Sequence, residues 1–378
     1  MYKVQRCIYQ DKETERIGWL IISNELPYPF RVNCFLNSLK SPQTAKQYAY
    51  KICKYLNYIH SYFKIRYDQI DSHHLSLFIR SIQYNGKSIL NYESTEKSEY
   101  TIRGYVETLN KLYCYLKSDG VHLNLEISVS KVKRRNSFFY GQNYYTPQYH
   151  IEYEHKTVSP KKRKEYIKWY KDEQIDAILS NFNSNRDKAI FLFSLSGMRI
   201  DEALSAQINL YDENNGTIKL SRSKGRYNPS DMRTCVLLKE AIKYLEDYLR
   251  TERSVVEEHF IELGLSLPED IFINLKKHSS SFGKPVMYHN FYEILKRAAT
   301  RAGLDPELIR THSGRSTAVG RLFRAKAKNP SEISETMIRE IMGWKSISAA
   351  EPYKNRQDPV VAKENRRILE NAIGRLDK

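Results

Sequence analysis

Between residues 131 and 171, eleven Lys or Arg stand against three Glu (Glu152, Glu154, Glu165), giving +8 of the chain's formal charge of +17. Little of this stretch repeats with a strand or helix period, whereas clear helical periodicity lies on both sides of it. Such a break constrains the chain to two separately cored halves joined by a basic connector, and 378 residues suffice for two cores. Tyr140, Tyr144, Tyr145, Tyr149, Tyr153, Tyr166, Trp169 and Tyr170 are interleaved with the charge. Cations among aromatic rings suit a nucleic-acid backbone, where they neutralise phosphates and displace counterions. A solvated linker with no partner has the same composition. If a polyanion is bound, the contacts are expected from Lys131, Lys133, Arg134, Arg135, Lys161, Lys162, Arg163 and Lys164.

Residues 1–30 read as a short β-like extension, with strands Tyr2 to Tyr9 and Arg16 to Ile22 joined by a charged turn. A helix begins at Ser41-Pro42, a good N-cap followed by proline at the first helical position. Ala45, Tyr48, Ala49, Ile52, Leu56, Ile59 and Phe63 form its apolar face. Further helices are expected over Ser72 to Ile82 and from about Glu96 to Lys117, where Asp119-Gly120 ends the pattern. Residues 31–125 thus read as a helical bundle, 126–168 as a basic linker and 169–378 as a second domain. In that domain Asp172–Ser180, Asn185–Ser196 and Arg199–Ala206 are helical, and 216–221 and 233–238 are strands around Ser223-Lys224-Gly225. A long helix follows from Lys239 to about Phe260, and from about 360 the tail carries an apolar face (Val361, Ile368, Leu369, Ala372, Ile373, Leu376). Mainly α with a small β-sheet is the expected class.

A pI near 9.4 points to a polyanionic partner, although RNA or an anionic membrane surface would suit the charge equally. No apolar run reaches the roughly 18–20 residues that span a bilayer, and no signal-peptide core follows Met1. The five cysteines (Cys7, Cys34, Cys53, Cys114, Cys235) are scattered without a Cys-x-x-Cys pair, so reduced thiols in a cytoplasmic protein are expected. Neither a P-loop nor metal-ligand spacing is present, and no cofactor is expected.

Chemistry concentrates in three pieces: Ser196-Gly197-Met198-Arg199-Ile200-Asp201-Glu202, Thr311-His312-Ser313-Gly314-Arg315, and Met342-Gly343-Trp344-Lys345-Ser346-Ile347 with Tyr353 behind it. Each is weak alone. An Arg with a Glu at i+3 is usually a surface pair worth little, a turn lysine is normally solvated, and a tryptophan commonly fills a core. As an ordered set they are stronger: two guanidinium forks to clamp one phosphate, a histidine to handle protons, and a phenol to attack.

On these residues the chain resembles the tyrosine recombinase (phage integrase) family, in the variant with Trp where most members have a second His, as in Cre-like recombinases. The resemblance covers roughly residues 170–360 by motif, and the helical first half adds an architectural match to that family's core-binding (SAM-like) domain. It implies a two-domain DNA clamp of a helical core-binding domain and a mixed catalytic domain. It assigns Arg199 and Arg315 as phosphate clamps, Glu202 as a supporting acid and His312 as proton acceptor or oxygen ligand. Lys224 would be the hairpin lysine that protonates the leaving 5′ oxygen, with Arg222 and Arg226 beside it on the DNA. Trp344 would be an N–H donor to a phosphate oxygen, and Tyr353 the nucleophile. Four departures stand out: Gly314 replaces a frequent Leu, Ser316 a frequent second His, Pro352 precedes the tyrosine, and a polar insert occupies Ala325–Glu332. Proline there forbids a regular helix through Tyr353.

The expected function is site-specific recombination of DNA through a 3′-phosphotyrosine, integrating or excising a mobile element. The partners would be double-stranded recombination sites and three further copies of the chain on two duplexes, with accessory DNA-bending factors as a further class. Such a protein would be nucleoid-associated in a bacterial or phage-infected cell. A type IB topoisomerase and a non-catalytic DNA-binding protein on the same scaffold are the alternatives.

Overall fold

The computed structural model describes residues 1–11, 14–83, 99–135, 143–151, 166–220, 233–344 and 346–353, with short stretches at 362–363, 366–367 and 369–370. The chain divides into two units, Met1–Arg163 and Lys164–Lys378, each with its own apolar core. No helix among the described residues is long and apolar enough to cross a membrane.

In the first unit, β1 (Lys3–Asp11) and β2 (Thr14–Ile22) form an antiparallel hairpin. Two asparagine amides fasten it to the helices α1 (Phe30–Asn37) and α2 (Pro42–Phe63). Asn33 accepts from the Ile21 N–H at 2.8 Å and donates to the Ile21 carbonyl at 2.9 Å. Asn57 does the same for Tyr2, at 2.8 and 2.9 Å. Each amide imitates the pairing of a neighbouring strand, so buried backbone groups at the hairpin base keep partners. Ser41 caps α2 by accepting from the Thr44 N–H, and Lys64 ends it in the left-handed region at φ 57°. Helices α3 (Ser72–Gln83) and α4 (Glu99–Ser118) complete the bundle around Tyr55 and Tyr113, whose hydroxyls meet at 2.6 Å.

The connector reading needs correction. Within 126–168, β3 (Ile127–Arg135) and β4 (Asn143–Ile151) pair antiparallel, from Ile127 opposite Ile151 to Arg135 opposite Asn143. The base of this ribbon belongs to the first unit: Ile151 is buried in its core and its N–H donates to Asn110 Oδ1 on α4 at 2.9 Å. Its sequence alternates only at the base, Ile127-Ser128-Val129-Ser130 and Tyr149-His150-Ile151, while Lys133, Arg134 and Arg135 put charge at both parities beyond it, and so short a pattern hid the strands. Lys161, Lys162, Arg163 and Lys164 lie outside the described residues.

The second unit is built on α6 (Asn185–Leu195), apolar on every side from Ala189 to Phe193 and buried throughout that run. Around it pack α5 (Asp172–Ser180), α7 (Ile200–Leu204), α8 (Lys239–Asp247) and α10 (Tyr288–Arg301), while α9 (Ser254–Glu262) lies further along the chain from α8. The three-stranded antiparallel sheet is β5 (Tyr211–Asp212), β6 (Thr217–Lys219) and β7 (Thr234–Val236). The expected long helix from Lys239 is interrupted by a π-helical turn, Tyr248–Arg253. That turn brings the buried Arg253 guanidinium onto the carbonyls of Pro268, Asp270 and Ile271 at 2.5–2.7 Å. The polar insert at 325–332 is the end of α11 (His312–Lys328) plus a turn, after which Ser334 caps α12 (Glu335–Ile341).

Candidate active site

Arg199 sits at the N-cap of α7, because Ser196-Gly197-Met198 turns the chain sharply out of the buried helix α6. Its backbone N–H donates to Glu202 Oε2 at 2.9 Å and its Nη1 to Glu202 Oε1 at 2.6 Å. The i, i+3 pair that would be worth little on a surface is therefore built around a carboxylate that is 3% exposed. Glu202 Oε2 also receives Arg233 Nη2 at 3.2 Å and stands 3.9 Å from Arg315 Nη1. Burial pushes its carboxyl up, but the Arg199 backbone N–H and the charges of Arg199, Arg233 and Arg315 outweigh burial and hold it below its ordinary range.

Arg315 enters from the first turn of α11 and is wholly buried. It donates through Nη1 to the Gly197 carbonyl and through Nη2 to the Met342 carbonyl at 2.5 Å, while its buried Nε has no hydrogen-bond partner among the described residues. Burial, followed by repulsion from Arg199 and Arg233, pulls its pKa down to about 10, and the guanidinium stays protonated at neutral pH. Its Cζ lies 6.0 Å from the centre of the Trp344 ring. Trp344 is buried with Val319, Ile338, Met342 and Ala350, and its ring centre is 5.4 Å from that of Tyr353. Tyr353 ends a 3-10 helix, Ile347–Tyr353, a form that accommodates the chain where Pro352 forbids a regular α-helix. The Tyr353 hydroxyl is 2.6 Å from His312 Nε2 at the start of α11.

Six residues singled out in the sequence thus meet in a continuous series of contacts: Arg199, Glu202, Arg315, Trp344, Tyr353 and His312. Lys224, Arg222 and Arg226 fall in 221–232, outside the described residues. Lys131, Lys133, Arg134 and Arg135 are on β3, in the other unit. Sequence reasoning missed Arg233, which is buried beside Glu202. A signal was available: Arg233 stands two positions before Cys235, which faces the core, so strand parity puts both on the inner side.

The Gly314 departure has a packing cause. A Cβ at Gly314 would lie 2.0 Å from Ser194 Oγ and 3.0 Å from Ser194 Cβ, where α11 crosses α6. Gly314→Ala is expected to cost about 1–3 kcal/mol, and adding Ser194→Gly is expected to recover most of it. Thermal denaturation of the single and double variants checks this; an additive loss in the double variant would refute the contact.

A family model described as the phage integrase family matches residues 168–359. Transposase A from transposon Tn554 of Staphylococcus aureus is 23% identical over 303 residues, covering 76% of this chain and 77% of that protein. The Tn1549 transposon integrase in complex with transposon right-end DNA superposes with a TM-score of 0.57 at 13% identity, over 90% of this chain and 98% of that one. The XerH site-specific recombinase in a post-cleavage complex with a palindromic difH substrate gives 0.51 at 17% identity, over 90% and 88%. At these identities the structural likeness establishes the fold, which is mainly α with small sheets. With the family match spanning just over half of its residues, the chain belongs to the phage integrase family of tyrosine recombinases.

Proposed function

We propose that the protein is a site-specific recombinase of a mobile element, with Tyr353 as its nucleophile. The observation that carries this reading is the 2.6 Å contact between the Tyr353 hydroxyl and His312 Nε2, beside a buried cluster of guanidinium groups. The phenol passes its proton to His312 while its oxygen adds to a backbone phosphorus held by Arg199 and Arg315. The P–O5′ bond breaks, leaving a 3′-phosphotyrosine, and the departing 5′ oxygen takes a proton from Lys224. Attack by a 5′-hydroxyl from a partner strand reverses these steps and joins new ends. Bond energy is kept in the phosphotyrosine, so the exchange itself needs no nucleotide hydrolysis. A Trp344 in place of a second His keeps an N–H donor near the phosphate but no ionisable group, the Cre-like arrangement. Exchange of two strand pairs requires four protomers on two duplexes.

The test is trapping on a nicked suicide duplex carrying the element's own end, without added metal, read as a protein–DNA adduct on a denaturing gel. An adduct supports the reading. A tightly bound cognate site that yields none overturns it in favour of a DNA-binding protein on a recombinase scaffold. A two-site substrate then separates a recombinase, which exchanges strands, from a topoisomerase, which reseals the same duplex.

The β3 cations Lys131, Lys133, Arg134 and Arg135 are assigned to DNA phosphates on their charge, since no Asp or Glu occurs from 127 to 151. Replacing all four by Ala is expected to weaken binding to every duplex alike and to lower the slope of log K against log salt by about 3–4, near 0.9 for each phosphate contact. Filter binding across a salt series measures it, and an unchanged slope would remove these residues from the interface.

A further inference from the structure

We propose that Arg233 is a positioning residue of the phosphate site that acts through Glu202. It leaves the buried cluster with a surplus charge matched to the phosphorane formed on attack rather than to the resting phosphodiester. This rests on the recombinase reading above.

Arg233 immediately precedes β7, with 7% of its side chain exposed. Its Nη2 reaches both Glu202 Oε2 at 3.2 Å and the Gly197 carbonyl at 3.3 Å, and its Nη1 donates to the Ile341 carbonyl. Arg315 makes a parallel set of bonds, to the same Gly197 carbonyl and to Met342, the neighbour of Ile341. Two buried guanidinium groups therefore hold the turn before Arg199 against the turn before Trp344. Gly343 closes on this arrangement at φ +61°, where a Cβ would meet Arg233 Cδ at 2.3 Å and Nε at 2.4 Å.

A merely structural tie between these turns would not require a third full positive charge. Among the described residues, every ion pair of Arg199, Arg233 and Arg315 ends on Glu202. Three cations against one carboxylate leave +2. Among the described residues no further anion pairs with these three guanidinium groups, and burying such a surplus is costly. A phosphodiester brings −1. When the Tyr353 oxygen, having passed its proton to His312, adds to phosphorus, the phosphorane carries −2. Expulsion of the 5′ oxygen, with its proton from the general acid, returns the phosphate to −1. Between the arginine–glutamate cluster and the phosphate alone, the +2 is matched only at the phosphorane, while the proton lost by Tyr353 carries its charge onto His312; that match is the condition for stabilising a transition state more than a ground state. Arg233 need not touch the phosphate to do this. By occupying Glu202 Oε2 it keeps that carboxylate from neutralising Arg199 and Arg315 by itself.

The test compares Arg233→Gln and Arg233→Lys with wild type in single-turnover cleavage of a nicked suicide duplex, carrying either an ordinary scissile phosphate or a methylphosphonate. A methylphosphonate is neutral at rest and its phosphorane carries only −1, so it removes the demand for the third cation. Arg233→Gln is expected to slow cleavage of the phosphodiester about 100-fold or more while DNA affinity stays within about threefold. On the methylphosphonate the deficit is expected to shrink to less than about tenfold, and Arg233→Lys to recover part of the phosphodiester rate. Equal deficits on both substrates, or no deficit, overturn the proposal and leave Arg233 a structural tie. Should Arg233→Gln fail to fold by circular dichroism, Arg233→Lys decides: keeping the charge, it must retain more phosphodiester activity than any folded neutral variant such as Arg233→Met. Adduct formation by wild type is read first, so that failure of the nucleophile assignment is distinguished from failure of the charge argument.

Discussion

Tyr353→Phe is expected to abolish the covalent protein–DNA adduct while leaving DNA affinity within about twofold of wild type, a loss of cleavage on the order of 10⁴-fold or more. The substitution is a narrow one. Phenylalanine keeps the ring that stands 5.4 Å from Trp344 and 5.5 Å from His312. Only the hydroxyl and its hydrogen bond to His312 Nε2 disappear. Because that bond is exposed, the stability cost should stay at or below about 1 kcal/mol, and an unfolded protein is not available as an explanation for lost activity. Denaturing gels of the nicked duplex measure the adduct and a mobility shift measures binding. Residual adduct at the wild-type rate would mean that another of the chain's 29 tyrosines is the nucleophile.

Arg315→Met is expected to act on folding and chemistry together. Removing the side chain strips donors from the Gly197 and Met342 carbonyls and takes one cation from around Glu202, all in a wholly buried place. Glu202 keeps Arg199 and Arg233, so the cost comes from the two carbonyls that lose a donor, offset in part by relief of repulsion among the arginines, and is expected to be about 1–3 kcal/mol. In the proposed mechanism the same change removes a guanidinium clamp from the phosphate, for which about a 10³-fold drop in cleavage is expected. Thermal denaturation gives the first effect; single-turnover cleavage, taken well below the variant's transition, gives the second. Arg315→Lys should fold better than Arg315→Met, since it keeps a donor for one of the two carbonyls, yet cleave poorly, since one ammonium cannot replace a planar fork satisfying both. A rate close to wild type in folded Arg315→Met would remove this residue from the chemistry.

Local signals were legible where local physics decides. Ser41-Pro42 announced α2 because an N-cap and a proline at the first helical position need only their own turn. Asn185–Ser196 was legible as a helix for a similar reason, and the structure has a helix at Asn185–Leu195. The β3–β4 ribbon was not legible, since its alternating stretches, Ile127 to Ser130 and Tyr149 to Ile151, are too short to reveal a strand. Nor was the π-turn at Tyr248–Arg253. It inserts a residue where periodicity predicts none, and its sustaining contacts reach the carbonyls of Pro268, Asp270 and Ile271, beyond the helix itself.

The same division runs through the site. An Arg, a His-x-x-Arg and a late Tyr could be read from order and spacing, because residue type and short-range geometry fix what a guanidinium, an imidazole or a phenol can do. Their shared environment could not. Tyr353 meets His312 across 41 residues of chain, and Arg233 meets Glu202 across 31. Whether Glu202 is a surface partner of one arginine or the buried counterion of three depends on distance and on the water excluded between the groups. Both set the strength of a charge interaction, and both exist only once the chain has folded.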